Sequence, residues 1–240
     1  MKAKHSLILL TFVILILSGC YIDFWDKTIY GEGPVVTEER DISGFNGLKV
    51  SSGIDVYLKQ GNSEKVKVVA DENLHDVIET EVRNGILHIF SEVNIRRAKS
   101  EKVYVTIKKL NSIRISSAGD VKGQNKINTS DLTISLSSAG DLSLDVEAKR
   151  IELSISSSGD ADLSGSTDYF DVSLNSAGDL NAYELEAKTC KIRVSSAGNA
   201  KIYVTEELSA TASSAGDIYY RGDPKIKHLS SSSAGGIHKR

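Results

Sequence analysis

Seven copies of one short phrase, two small residues followed by Gly and usually Asp, recur about every twenty residues through the second half of this 240-residue chain. They read Ser117-Ala118-Gly119-Asp120, Ala139-Gly140-Asp141, Ser158-Gly159-Asp160, Ala177-Gly178-Asp179, Ala197-Gly198-Asn199, Ala215-Gly216-Asp217 and Ala234-Gly235-Gly236. The glycine intervals are 21, 19, 19, 20, 18 and 19 residues. Such spacing belongs to the coils of a β-solenoid and not to a helix-based repeat.

Apolar and polar residues alternate on both sides of the phrase, as in Leu132-Thr133-Ile134-Ser135-Leu136 before it and Leu142-Ser143-Leu144-Asp145-Val146 after it. Alternation of this kind buries one face of a strand and wets the other. Ile151, Leu153 and Ile155 repeat the inward set in the next coil, and Tyr169, Val172 and Leu174 are expected to do so in the one after. Stacking then builds aliphatic ladders through the interior. Each glycine is expected to supply a corner conformation closed to residues with a side chain. Gly53, in Val50-Ser51-Ser52-Gly53-Ile54-Asp55-Val56, reads as a degenerate earlier copy, with about three coils filling the stretch to Gly119. The segment 71–81 reads as a short helix or an irregular excursion, with Leu74, Val77 and Ile78 at helical spacing.

The N-terminus has the form of a processing signal. Lys2 and Lys4 precede an apolar run over 7–17, too short to span a bilayer as a mature helix. Leu17-Ser18-Gly19-Cys20 then resembles a bacterial lipobox, which implies cleavage after residue 19 and acylation of Cys20. The expected organisation is a lipoprotein signal peptide over 1–19, a lipid-anchored tether over 20–40 and one solenoid domain over 41–240. Without residues 1–19 the formal charge is 27 − 32 = −5, and no basic stripe suggests nucleic acid. Only Cys190 remains as a thiol, at a period-two position with Ile192 and Val194, so it reads as a buried strand residue.

The lipoprotein signal, Phe45-Asn46-Gly47-Leu48-Lys49-Val50, Gly53-Ile54-Asp55-Val56-Tyr57-Leu58, Ala70-Asp71-Glu72-Asn73-Leu74 and the iterated Ser-Ala-Gly-Asp together resemble the auto-transporter adhesin, head GIN domain family of Bacteroidetes lipoproteins. The resemblance covers about residues 45–222. It implies an all-β chain folded as a right-handed parallel β-helix, with coils of about 19–21 residues, at the cell surface or in the periplasm. An adhesin-like role is implied; no catalytic residue is.

The main chemical constellation is the column Asp120, Asp141, Asp160, Asp179 and Asp217, with Asn199 in the remaining central place. Carboxylates one rung apart repel by roughly 0.8 kcal/mol in water, so the column either recruits cations, with calcium the fitting ion, or caps turns by bonding nearby backbone. The nonapeptide repeat of calcium-binding β-rolls is absent. A polysaccharide-active enzyme is the rival reading, yet acids repeated by translation share nearly one environment, whereas a glycosidase needs two unequal carboxyls. His75, His88, His228 and His238 are dispersed, without short zinc-ligand spacing. Arg221-Gly222-Asp223 spells an integrin-recognition tripeptide but reads first as a turn, and of Tyr219 and Tyr220 one should point inward.

These readings converge on a non-catalytic lipoprotein of the cell envelope, anchored to the outer membrane, whose polar rungs bind a glycan or protein partner. A structural or signalling lipoprotein is a further reading. The finish from Ser230 to Arg240 either caps the last coil or leaves an edge open for self-association.

Overall fold

The computed structural model describes residues 27–175 and 177–240, so the expected signal peptide, Cys20 and the start of the expected tether lie outside the described residues. The chain forms a parallel β-solenoid. Ile127–Leu136, Leu142–Ile155, Ala161–Leu174, Leu180–Ser195 and Asn199–Ser213 pair in succession, all parallel, and the four corner phrases between them lie one over another. Ladders such as Ile113–Ile134–Leu153–Val172–Ile192–Ala210 run through the core and are fully or almost fully buried. Each such aliphatic side chain contributes roughly 1.5–3 kcal/mol on burial.

Each coil turns twice. The glycine phrase makes one corner; the other is marked only by two adjacent outward residues, such as Lys149 and Arg150, which shift the alternation by one. That shift reverses one expectation: Tyr169 stands half exposed and Phe170 takes the core place.

The phrase glycines serve a different purpose from the one expected. None of those at 119, 140, 159, 178 or 216 has positive φ; in the corners of Gly119, Gly198 and Gly216 that conformation falls two residues earlier, at Ser117, Ser196 and Ser214. A Cβ on Gly159 would lie 2.5 Å from the carbonyl oxygen of Gly140, and one on Gly119 would lie 2.6 Å from that of Ile54. Glycine is required because successive corners stack backbone against backbone, with no room for a methyl group.

The N-terminal half departs from chain order. Gly47–Val50 and Asp55–Gln60 do not begin the stack; they lie between the later coil formed by Ile86–Phe90 and Glu101–Ile107 and the next formed by Ser112–Ile115 and Val121–Gly123. The stretch between Gly53 and Gly119 thus holds one complete coil, not three. Its remaining strands fold back antiparallel, Lys65–Asp71 along Glu101–Ile107 and Glu79–Arg83 along Ile86–Phe90. Between them a 3-10 turn over Glu72–Leu74 places Leu74 and Ile78 in the end of the core. This is a capping unit of the kind an open solenoid end requires.

The tether also ends earlier than expected. Thr28–Tyr30 pairs with Asn94–Arg96, and Val35–Arg40 pairs antiparallel with Lys65–Asp71. These residues satisfy backbone groups that the cap would otherwise leave open. Arg40 fastens the edge by bonding the His75 carbonyl and pairing with Glu38, both at 2.8 Å.

At the far end, the inward positions of Ile226–Ser231 and Gly236–Lys239 fall on Lys227, Leu229, Ile237 and Lys239, as their register with Leu208, Ala210, Ile218 and Tyr220 shows. Two lysines thus occupy places filled by aliphatic or aromatic residues one rung earlier. Both reach Asp223, Lys239 at 2.8 Å and Lys227 at 3.8 Å. Inward charge is a recognised way to blunt a strand edge.

Candidate functional site

The corner brings the carboxylates into register and uses them. Oδ1 of Asp120 accepts the backbone N–H of Asp141 at 3.2 Å, Asp141 accepts that of Asp160 at 3.2 Å, and Asp160 accepts that of Asp179 at 2.9 Å. Asp179 then accepts both the backbone N–H and the side-chain amide of Asn199 at 3.0 Å. A hydrogen bond to a charged acceptor contributes about 1.5–3 kcal/mol, more than the roughly 0.8 kcal/mol of neighbour repulsion. The geometry therefore supports the turn-capping use of the column. Among the described residues no cluster of three or more acidic, histidine or cysteine side chains is arranged to hold a metal.

Asp217 ends the column differently, with Oδ1 3.6 Å from His238. At the other end Asp55 joins it, a residue the sequence pattern hid. Val50 pairs with Ile115 and Val56 with Val121, so the five-residue corner aligns Asp55 with Asp120 and sets Ile54, not Gly53, where later coils have glycine. Burial, with Asp120 close by, raises the Asp55 carboxyl above the usual range. Just beyond it, burial and the charges of Asp55 and Asp71 push Glu101 to about 6.

Glu101 lines a cavity of about 450 Å³ with Ser52, Ser91, Asn94 and Ser117. One wall is an excursion over 91–100 that replaces the short corner found elsewhere, where Asp71, fully buried, accepts the backbone N–H groups of Lys99 and Ser100. At the second corners a polar groove of about 380 Å³ runs past Glu147, Lys149, Asp168, Glu186 and Lys188.

Next to the carboxylate column lies an outward row of mixed chemistry. Tyr104 and Tyr57 stand in register at one end, stacked with centroids 5.0 Å apart, and Tyr219 and His238 stack at 5.1 Å at the other. Between them the row passes through Lys122, Ser143, Asp162, Asn181 and Lys201. Six rungs separate Tyr57 from Tyr219, about 29 Å at ~4.8 Å per rung. Tyr220 points inward, as one of the pair must.

Other singled-out residues are committed elsewhere. Cys190 is fully buried, and burial pushes its thiol far up, which removes it as a nucleophile at neutral pH. In Arg221-Gly222-Asp223 the guanidinium lies over Tyr203 and Tyr183, Gly222 turns at φ 97°, and Asp223 holds the two terminal lysines. The tripeptide is part of the end coil's own structure.

The family model described as "Putative auto-transporter adhesin, head GIN domain" matches residues 44–224, which is most of the chain. The chain belongs to this family. Three solved structures share its fold. A "putative adhesin" from Bacteroides fragilis is 22% identical with a TM-score of 0.83, over 88% of this chain and 100% of that one. A "putative lipid binding protein" from Parabacteroides distasonis is 23% identical with a TM-score of 0.73, over 89% and 100%. A "putative adhesin" from Parabacteroides merdae is 21% identical with a TM-score of 0.69, over 89% and 99%. No curated protein matches the chain.

Proposed function

We propose that this head GIN domain chain is a non-catalytic lipoprotein of the cell envelope, held to the outer membrane through Cys20, whose solenoid face adheres to an extended glycan. The in-register row from Tyr104 and Tyr57 to Tyr219 and His238 carries this reading. Aromatic faces pack against the apolar faces of sugar rings, and the amide, hydroxyl and charged groups between them offer hydrogen bonds at a regular stride. Many weak contacts along one rigid row multiply into avidity without a deep pocket.

The family's adhesin description supports the role, and the shared use of the aspartates disfavours the enzyme. Asp120, Asp141 and Asp160 each accept the same kind of backbone bond, so they do not divide into a proton donor and an ionised partner.

The test is a glycan array probed with the unacylated protein, with and without calcium, beside a Tyr57→Ala/Tyr219→Ala variant. Binding to extended glycans that falls at least tenfold in the variant is the expected outcome. Turnover of an acidic polysaccharide that disappears on joint replacement of Asp120, Asp141 and Asp179 would establish the enzyme instead.

A further inference from the structure

On the other strand face, before the glycine corner, the outward row is basic at one end. His88 pairs across the sheet with Lys49, and Lys49 with Arg114, so three basic side chains occupy successive rungs. The row then continues as Ser135, Ser154 and Ser173, which carry no charge. From the antiparallel strand Glu79–Arg83, Arg83 reaches the same place and with Lys49, Ser51 and His88 lines a cavity of about 170 Å³.

The charge there is compensated only in part. Glu81 is the acidic group facing His88, and it is already paired with Arg83. Among the described residues, Lys49 and Arg114 have no acidic partner. The chain as a whole is acidic, with a formal charge of −3, so a concentration of cations at one spot does not follow from overall composition.

We propose that this cleft binds a tetrahedral oxyanion, an inorganic phosphate or the phosphoryl group of a larger molecule, between Lys49, Arg83 and His88 with Arg114 at its edge. Guanidinium groups bond such oxygens in pairs, and the ammonium supplies a further charge. His88 adds a switchable donor. Burial, then the charges of Lys49, Arg83 and Arg114, lower its proton affinity, while Glu81 opposes them. An arriving anion reverses that balance and draws a proton onto the ring.

The site stands on a different face from the tyrosine row, so its failure and that of glycan adhesion are separable. Titration of the full unacylated chain with inorganic phosphate, followed by calorimetry and by the His88 ring resonances, is the direct test. Binding should weaken at least about tenfold in Lys49→Ala and in Arg83→Ala. With sulfate, a tetrahedral oxyanion that keeps its charge over this range, binding should strengthen from pH 8 to pH 6, and His88→Gln should flatten that dependence while thermal melting confirms the fold. A second arm compares vesicles of phosphatidylcholine alone with vesicles that also contain phosphatidic acid. Retention on the latter that phosphate displaces would identify a lipid headgroup as the source of the phosphoryl group; phosphate binding without retention would identify the free ion. No binding in either arm, or equal binding by wild type, Lys49→Ala and Arg83→Ala, overturns the proposal.

Discussion

The backbone N–H of Asp179 donates to Oδ1 of Asp160 at 2.9 Å, so a side chain of one coil completes the hydrogen bonding of the next. Asp160→Ala should therefore cost about 1–3 kcal/mol, because it leaves that N–H without its acceptor. Asp160→Asn, which keeps a carbonyl oxygen in place, should cost less than half as much. Urea unfolding of both variants checks the order, and a calcium-dependent rise in the wild-type midpoint larger than the Asp160→Ala loss would return the column to a cation role.

Two glycines should fail for opposite reasons. Gly159→Ala sets a methyl group against the Gly140 carbonyl and should cost about 1–3 kcal/mol or more through overpacking. Gly53 has open space around it but φ of 76°, so Gly53→Ala should cost only about 1–2 kcal/mol of backbone strain. Gly53→Asn distinguishes the causes: it should recover much of the loss, since asparagine tolerates that conformation, whereas Gly159→Asn should be worse than Gly159→Ala.

The inward lysines of the last coil should keep the molecule from pairing end to end. Lys227→Ile combined with Lys239→Leu removes both charges from the end of the core and leaves Asp223 without the partners that now hold its carboxyl below the usual range. Light scattering should show concentration-dependent association for the double variant and a monomer for wild type. An associating wild type would assign the end coil to self-assembly.

Glu101 makes stability depend on pH. Its folded carboxyl titrates near 6, against an ordinary 4.5, so between those values the folded chain holds the proton more often than the unfolded chain does. Stability contributed by this group is fully present below pH 4.5 and is lost as pH rises through 6. The group is partly exposed, which reduces the effect to about 1 kcal/mol after solvent screening. Glu101→Gln should raise the unfolding free energy at pH 7.5 by about that much and remove the slope, as urea midpoints across the range would show.

Much of the solenoid was legible because its period is short and each coil repeats one local rule. Glycine phrases at 119 to 216 mark corners, and alternation around Ile134 or Leu153 marks inside and outside, since both depend only on neighbours along the chain. The first half resisted the same reading because its copy is offset: Ile54 fills the glycine place, so Asp55 could not be assigned to the column by counting from Gly53. Tyr169 was misplaced because the second corner has no glycine to announce it.

The sequence by itself determined a wound stack of parallel coils, the row of carboxylates on its corner and the burial of Cys190, since translation along a fixed period settles all three. Tertiary structure decided the rest. Only pairing between distant strands could insert Gly47–Val50 between Ile86–Phe90 and Ser112–Ile115, bring Arg83 and His88 beside Lys49, and turn Lys227 and Lys239 onto Asp223. The physical reason is that an end coil has one neighbour instead of two. Its exposed edge must be satisfied by whatever chain can reach it, and no local pattern in the sequence specifies which segment that is.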